Sequence, residues 1–305
     1  MYLFESLPWQ TILMGLAVLV VLIIINELAR ASKWISLVIF LLVPIILTFW
    51  VWPTTAGPDS SVGTWFHYAK VYSVVGITLV IMGIRFIKGW STNKFILMLP
   101  AILLAINILE AVIRDFQCYS INGFEDGMMI TGGSWNIMNG IAGILNILAI
   151  SGWAGIIISK DKKKDMVWPD MLIYWIIAYD LWNFAYVYNC LGDHAFYAGI
   201  MVLLAATIPA IFIKKGAWLQ HRAQTLAIWV MFAMSYPAFM DTSEYAVKAS
   251  QNTTALFIIS AIALLSNIAL IAYHIYKITK NKRNPLREEV YIDLDEYKSV
   301  VAANK

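Results

Sequence analysis

The dominant pattern in the sequence is a series of long apolar segments separated by short polar ones. A hydrocarbon core about 30 Å thick is crossed by an α-helix of about 20 apolar residues. Windows of that length predict nine helical spans. They cover residues 10–28, 34–52, 66–87, 95–114, 136–158, 167–190, 194–213, 223–240 and 254–276. The pattern therefore predicts an all-α, polytopic integral membrane bundle.

Two places in this series are less regular than the rest. The sixth and seventh spans are separated only by Leu191–Asp193, which predicts a tight helical hairpin. In the eighth span, Tyr236, Pro237 and Asp241 interrupt or end the apolar run. Proline frees backbone carbonyls and bends helices. A bend beside an acidic residue builds a solute site or simply ends a helix, and the sequence is compatible with both.

Basic residues cluster at alternate ends of the predicted spans. With the N-terminus outside the cell, nineteen of the 22 Lys and Arg residues fall on the cytoplasmic side. Only Lys70, Arg114 and Lys248 then lie on the outer side. Because cytoplasmic loops of membrane proteins carry the excess of Lys and Arg, this distribution predicts an N-out, C-in orientation.

Composition agrees with this class. Charged residues make up 13% of the chain, against about 25% in soluble proteins. We therefore predict a multi-pass protein of the cell membrane, with the lipid bilayer as its main partner. The chain divides into a transmembrane domain, residues 1–276, and a charged cytoplasmic tail, residues 277–305. The sequence leaves the oligomeric state open.

The sixth span carries a carboxylate and an amide at its middle. Asp180 lies within the apolar stretch Tyr174–Cys190, and a charged side chain at membrane depth costs about 2.5 to 3.5 kcal/mol. Asp180 must therefore face the protein interior or water. Asn183 lies on the same helical face, and Tyr186 adds an amphipathic ring. The pattern predicts a central substrate or ion site at Asp180 and Asn183, beside Tyr186.

Polar residues on other spans are predicted to line the approach to this site. Asn107, Glu110 and Arg114 follow one stripe of the fourth span, where Glu110 and Arg114 can pair within the helix. That pair either neutralises itself during insertion or takes part in a solute path. The remaining candidates are Asn139 in the fifth span and Tyr236 and Asp241 at the end of the eighth.

The chain has two cysteines, Cys118 and Cys190, and the predicted orientation places both on the outer side. Disulfides form and persist in oxidising compartments. The pair is therefore a candidate disulfide, although spacing along the chain does not establish that the two residues are close.

Acidic residues are in excess on the predicted outer side. They are Glu5, Asp59, Glu110, Asp115, Glu125, Asp126, Asp193, Asp241 and Glu244. A negative vestibule above a buried carboxylate concentrates cations, although part of this excess mirrors the positive-inside rule. We therefore predict a transporter or channel-like permease for a cation or for a small cationic or neutral solute. Proton coupling would run through Asp180, because burial brings its two protonation states close in energy.

Two other classes of function fit the same pattern. One is a membrane-embedded enzyme with an outward-facing polar site, since His67, Asp193, His194 and Asp241 can converge there. No pair of them has metal-ligand spacing on one helix. The other is a membrane sensor or assembly protein. The sequence contains no phosphate-binding glycine loop, so we predict no cofactor, and it gives no sign of nucleic acid as a partner.

Overall fold

The chain folds into a bundle that is mostly helical, with two short β-hairpins. The computed structural model describes residues 2–57 and 60–304, so the predicted outer acid Asp59 and the tail residue Lys305 lie outside the described residues. The helices are α1 Trp9–Ala31, α2 Lys33–Thr55, α3 Trp65–Phe86, α4 Lys94–Cys118, α5 Ser134–Leu148, α6 Ile173–Cys190, α7 Gly192–Phe212, α8 Trp218–Ser235, α9 Thr253–Asn281 and α10 Asp295–Asn304. The strands are β1 Asn122–Glu125, β2 Met128–Thr131, β3 Ile157–Ile158 and β4 Met166–Val167.

Among the described residues, six helices are long and apolar enough to cross a membrane, namely α1, α2, α3, α4, α7 and α9. Much of the apolar surface of α1 and α2 faces away from the bundle, and on α2 Phe49 and Trp50 are 68% and 70% exposed. An apolar surface of this extent is typical of contact with lipid rather than water. The helices α5, α6 and α8 are shorter, with 15, 18 and 18 residues.

Three helices, α5, α6 and α8, begin or end at residues other than those predicted. α5 ends at Leu148, since Gly152 takes a left-handed conformation with φ of 68° and a 3₁₀ turn follows. The α5 helix is about 22 Å long, which is less than the thickness of a hydrocarbon core. α6 begins at Ile173, because residues 166–167 form β4. α8 begins at Trp218 and ends at Ser235, so it starts before the apolar run predicted at 223–240.

The central helices pack in a continuous order. α4 contacts α3 on one side and α5 on the other, while α9 packs against α5 and α6. α8 packs between α3 and α7. Gly143 permits the close approach of α5 to its neighbours, because a Cβ atom there would lie 2.5 Å from Val112 Cγ2 and 2.6 Å from Trp182 Nε1.

We name the two ends of the bundle after the chain terminus that each holds. At the N-terminal end, Phe4 pairs with Ala249 in an isolated β-bridge, and the Tyr188 hydroxyl donates to the Leu3 carbonyl over 2.6 Å. The β1–β2 hairpin lies between α4 and α5, with Asn122 opposite Thr131.

At the C-terminal end, the β3–β4 hairpin holds the charged run 160–165 and places Asp165 in the bundle. Asp165 is buried, accepts two hydrogen bonds from Arg30 over 3.0 and 2.8 Å, and accepts a third from Gln220 over 2.7 Å. Burial alone would raise the pKa of this carboxyl, but the bonds and charge of Arg30 outweigh it and hold the pKa below its usual value. Asp165 therefore binds α1 through a buried ion pair with Arg30 and α8 through a hydrogen bond from Gln220.

The segment after α9 also packs on the C-terminal end. The boundary predicted at residue 277 falls inside α9, which continues to Asn281. Asp170 accepts hydrogen bonds from the backbone N–H groups of Val290 and Tyr291, both over 3.0 Å, and from the Ser151 hydroxyl over 2.7 Å. A buried carboxylate thus connects the C-terminal segment to the residues that follow α5.

Candidate functional site

Within the described part of the chain, a cavity lies between α3, α6 and α8, and α4 and the start of α7 also contribute to its wall. Its volume is about 60 Å³, and since one water needs about 10 to 15 Å³, it has room for several waters. The α8 side chains on its wall run from Arg222 to Ala233, about 16 Å along the helix axis. The cavity is therefore narrow and elongated. Its polar wall consists of His67, Lys70, Asn107, Asn183, Tyr186, His194 and Arg222.

Lys70 on α3 is held against α4. Its Nζ donates to the Asn107 carbonyl over 2.7 Å and lies 3.2 Å from Glu110 Oε2. Ser73 completes this arrangement, since its hydroxyl donates to Glu110 over 3.1 Å and accepts from the Asn107 amide over 3.0 Å. Glu110 therefore lies behind the wall, where it neutralises Lys70.

Arg222 on α8 is held differently, because its partners are neutral. Its Nη2 donates to Asn183 Oδ1 over 3.1 Å, and its Nε donates to the Tyr179 hydroxyl over 3.3 Å. The side chain is buried, with 4% of its surface exposed, and Nη1 has no hydrogen-bond partner among the described residues. The ion pairs found within residues 2–57 and 60–304 do not include Arg222.

Two histidines lie together at the N-terminal end of the cavity. The ring centres of His67 and His194 are 6.1 Å apart, and His194 Nε2 lies 3.6 Å from Asp241 Oδ1. Asp241 also accepts from the Ser61 hydroxyl over 2.8 Å. Burial alone would raise the pKa of Asp241, but its contacts with His194 and Ser61 hold the pKa below its usual value. Among the described residues, no group of three or more His, Cys, Asp and Glu is placed to hold a metal ion.

Three of the residues predicted for the site line the cavity, and two more contact side chains of its wall. Asn107, Asn183 and Tyr186 are on the wall. Glu110 reaches the wall through Lys70, and Asp241 reaches it through His194. The structure therefore brings these five predicted residues to one place.

Asp180 faces a neighbouring seam rather than the cavity. The Thr207 hydroxyl on α7 donates to Asp180 Oδ2 over 2.7 Å, and Trp218 Nε1 donates to Thr207 over 3.1 Å. The second carboxylate oxygen, Oδ1, is buried and has no hydrogen-bond partner among the described residues. Asp180 lies one helical turn before Asn183 on α6, but it is not among the residues that line the cavity.

Other predicted residues lie outside the cavity. Arg114 pairs with Asp126 over 2.6 Å, so it does not form the predicted pair with Glu110. The Asn139 amide donates to buried Asp115 over 2.7 Å, and Tyr236 is 54% exposed. These three residues therefore have local partners or face outward.

The predicted disulfide is not supported. Cys118 and Cys190 are both buried and both free. Cys190 Sγ donates to Asp115 Oδ1 over 3.4 Å and accepts from the Asn136 amide over 3.7 Å. The thiol is thus part of a polar cluster around Asp115 instead of a covalent bridge.

One protein family matches almost the whole chain, over residues 5–303. The chain belongs to the DUF5692 family. The description of DUF5692 is a family of unknown function, so membership assigns no activity. No curated protein and no solved structure matches this chain.

Sequence reasoning missed the two basic residues on the wall of the cavity in this DUF5692 chain. Lys70 and Arg222 were assigned to opposite aqueous sides, because each lies near the end of an apolar run. Residues 220–225, which are mostly polar and buried in the first turns of α8, form the sequence feature that could have identified Arg222 as an interior residue. Such a run in the first turns of a helix requires partners inside the protein.

Proposed function

We propose that this protein is a cell-membrane permease for a small solute, with its binding site in the cavity between α3, α6 and α8. The observation that carries the proposal is a cavity of about 60 Å³, walled by charged and amide side chains, inside a bundle of apolar helices. Polar residues at membrane depth are costly, and they are typical of substrate and ion pathways. Pockets between the helices of a bundle are also common ligand sites.

The topology we propose has nine spans, with the N-terminus outside and the C-terminus in the cytoplasm. Three of the nine helices, α5, α6 and α8, are shorter than the others and line or surround the polar interior. Short helices are tolerated at membrane depth where they are buried in protein. The orientation rests on the distribution of Lys and Arg along the chain.

Asp180 is the group we propose for proton coupling. Its Oδ1 is buried and has no hydrogen-bond partner among the described residues, and Asp180 lies one helical turn from Asn183 on the wall. A carboxylate in such a place can exchange a proton as the charge in the cavity changes. We therefore assign Asp180 to coupling, and we assign contact with the solute to Asn107, Asn183 and Arg222.

Transport in proteoliposomes tests this proposal. Vesicles containing the purified protein are incubated with a mixed set of cationic, neutral and anionic small solutes, and their contents are measured by mass spectrometry. We expect one solute class to enter faster than in protein-free vesicles. Ala233→Phe should abolish that uptake by filling the cavity, whereas Ala269→Phe, at an exposed position on α9, should leave it unchanged.

Two outcomes would contradict the proposal. The first is uptake of every solute at the rate of protein-free vesicles. The second is equal uptake by Ala233→Phe and wild type, which would show that the solute does not pass through this cavity.

A further inference from the structure

The wall of the cavity carries basic side chains and no carboxylate. Lys70, Arg222, His67 and His194 all line it, and each is at least nine-tenths buried. Three acids stand behind the wall, and each has a partner of its own; the one nearest to Arg222 along α6, Asp180, accepts from the Thr207 hydroxyl over 2.7 Å and forms no ion pair with Arg222 among the described residues. Glu110 contacts Lys70 and Ser73, and Asp241 contacts Ser61 and His194. Basic groups therefore face the cavity, the acids lie behind it, and Arg222 is the cation on the wall that no ion pair among the described residues neutralises.

Arg222 is the basic group on the wall whose hydrogen bonds and charge are not fully matched by partners among the described residues. A buried charge without an oppositely charged partner costs several kcal/mol. Arg222 has only the neutral acceptors Asn183 and Tyr179, and its Nη1 has no partner among the described residues. A ligand oxygen that carries negative charge would satisfy Nη1 and offset that cost. A cationic ligand, which the sequence predicts, would instead increase the cost of burying Arg222.

The rest of the wall is apolar. Leu226, Val230 and Ala233 follow Arg222 along the same helix, and Phe66 and Trp229 add ring surfaces. A fully hydrated inorganic anion would gain nothing from these side chains, whereas a short hydrocarbon chain would bury against them. The volume of about 60 Å³ limits the ligand to a few non-hydrogen atoms.

We infer that the ligand of this cavity is a short-chain monocarboxylate, whose carboxylate is bound by Arg222 and whose hydrocarbon chain lies along Leu226, Val230 and Ala233. This inference rests on the proposed function for the location of the site, and it names the class of solute. Lys70 contributes positive potential to the same cavity, although Glu110 shares its charge.

Equilibrium binding to the detergent-solubilised protein tests the inference without any transport step. The probes are acetate, propionate and butyrate, with propionamide as the neutral isostere and propylammonium as the cation. Isothermal calorimetry and thermal unfolding are measured for each, since a ligand that binds only the folded protein raises the melting temperature. We expect the carboxylates to bind and the amide and the ammonium compound to produce no shift.

The matched variants are Arg222→Gln and Arg283→Gln. Hydrogen bonds to charged groups contribute about 1.5 to 3 kcal/mol, so Arg222→Gln should weaken propionate binding about 10- to 100-fold. Arg283 lies beyond α9 and pairs with Glu288 over 3.7 Å, so Arg283→Gln should bind like wild type. Arg222→Lys keeps a positive charge and should bind more tightly than Arg222→Gln.

Several results would overturn the inference. They are the absence of any carboxylate-induced shift in wild type, equal binding by Arg222→Gln, and tighter binding of propylammonium or propionamide than of propionate. Preference for chloride, inorganic phosphate or added phosphatidylglycerol over propionate would overturn the assignment to a carboxylate.

Propionate binding without propionate uptake would support this inference and contradict the proposed function. Uptake of another solute without propionate binding would do the reverse.

Discussion

Replacing Asp165 by alanine is expected to lower the free energy of unfolding by about 3 to 5 kcal/mol, the usual cost of removing one partner from a buried ion pair. Asp165 is buried and accepts two hydrogen bonds from Arg30 and one from Gln220. The Arg85 guanidinium lies 4.0 Å from the same carboxylate. The variant would leave two buried arginines without this carboxylate. Denaturant unfolding in detergent micelles, followed by tryptophan fluorescence, measures the change.

Asp161→Ala is the matched control in the same hairpin. The Asp161 side chain is 45% exposed, pairs with Lys214 and accepts hydrogen bonds from the backbone N–H groups of Lys163 and Lys164. Exposed ion pairs contribute about 0 to 1 kcal/mol, so Asp161→Ala should cost less than Asp165→Ala. A loss of similar size in both variants would show that the buried ion pair is not what stabilises this end of the bundle.

The ion pair of Asp165 should also depend on pH. Its folded pKa is held below the ordinary value, so the unfolded chain binds a proton at higher pH than the folded protein does. The stabilisation is therefore fully present above the unfolded pKa of about 3.9, and it is lost as pH falls through the folded pKa. The stability difference between wild type and Asp165→Asn should narrow from about pH 5 to about pH 3. A difference that stays constant over this range would contradict the assignment.

Replacing Asp170 by alanine is expected to release the C-terminal segment from the bundle. Asp170 is 3% exposed and accepts from Ser151 and from the backbone N–H groups of Val290 and Tyr291. A buried donor left unpaired costs about 1 to 3 kcal/mol, and the variant leaves three of them. Hydrogen exchange should therefore become faster over residues 288–304, with little change in α3 and α4.

Asp295→Ala is the control for this variant. Asp295 lies in α10 of the same segment, but its side chain is fully exposed and it pairs with Lys298 over 3.6 Å. It should leave exchange over residues 288–304 as in wild type. Unchanged exchange in Asp170→Ala would show that other contacts of the segment are sufficient to hold it.

Hydropathy predicted the apolar helices well because bilayer thickness fixes their length. It placed α8 poorly, because the start of that helix is set by packing. The first turns of α8 contain Gln220 and His221, which find partners at Asp165 and Asn26, far away in the sequence. Those partners cannot be read from a local pattern. Because the predicted span began at residue 223, Arg222 was placed outside the helix that contains it.

The sign of the charge in the cavity was also beyond the sequence. Acidic residues outnumber basic ones on the predicted outer side, but each of the three basic residues there pairs with one of those acids. The pairs are Lys70 with Glu110, Arg114 with Asp126 and Lys248 with Asp193. The first of them joins two helices, and its geometry puts Lys70 on the wall and Glu110 behind it. Counting charges along the chain therefore gave a negative vestibule, whereas the folded cavity is lined by basic groups.

The most direct test of the account is the uptake of labelled propionate into proteoliposomes that contain either wild type or Arg222→Gln. We predict saturable uptake by wild type, inhibited by unlabelled propionate but not by propionamide. Uptake by Arg222→Gln should be at least tenfold slower, in line with a lost charged hydrogen bond. Equal rates in the two kinds of vesicle would show that the cavity at Arg222 is not the route of the solute.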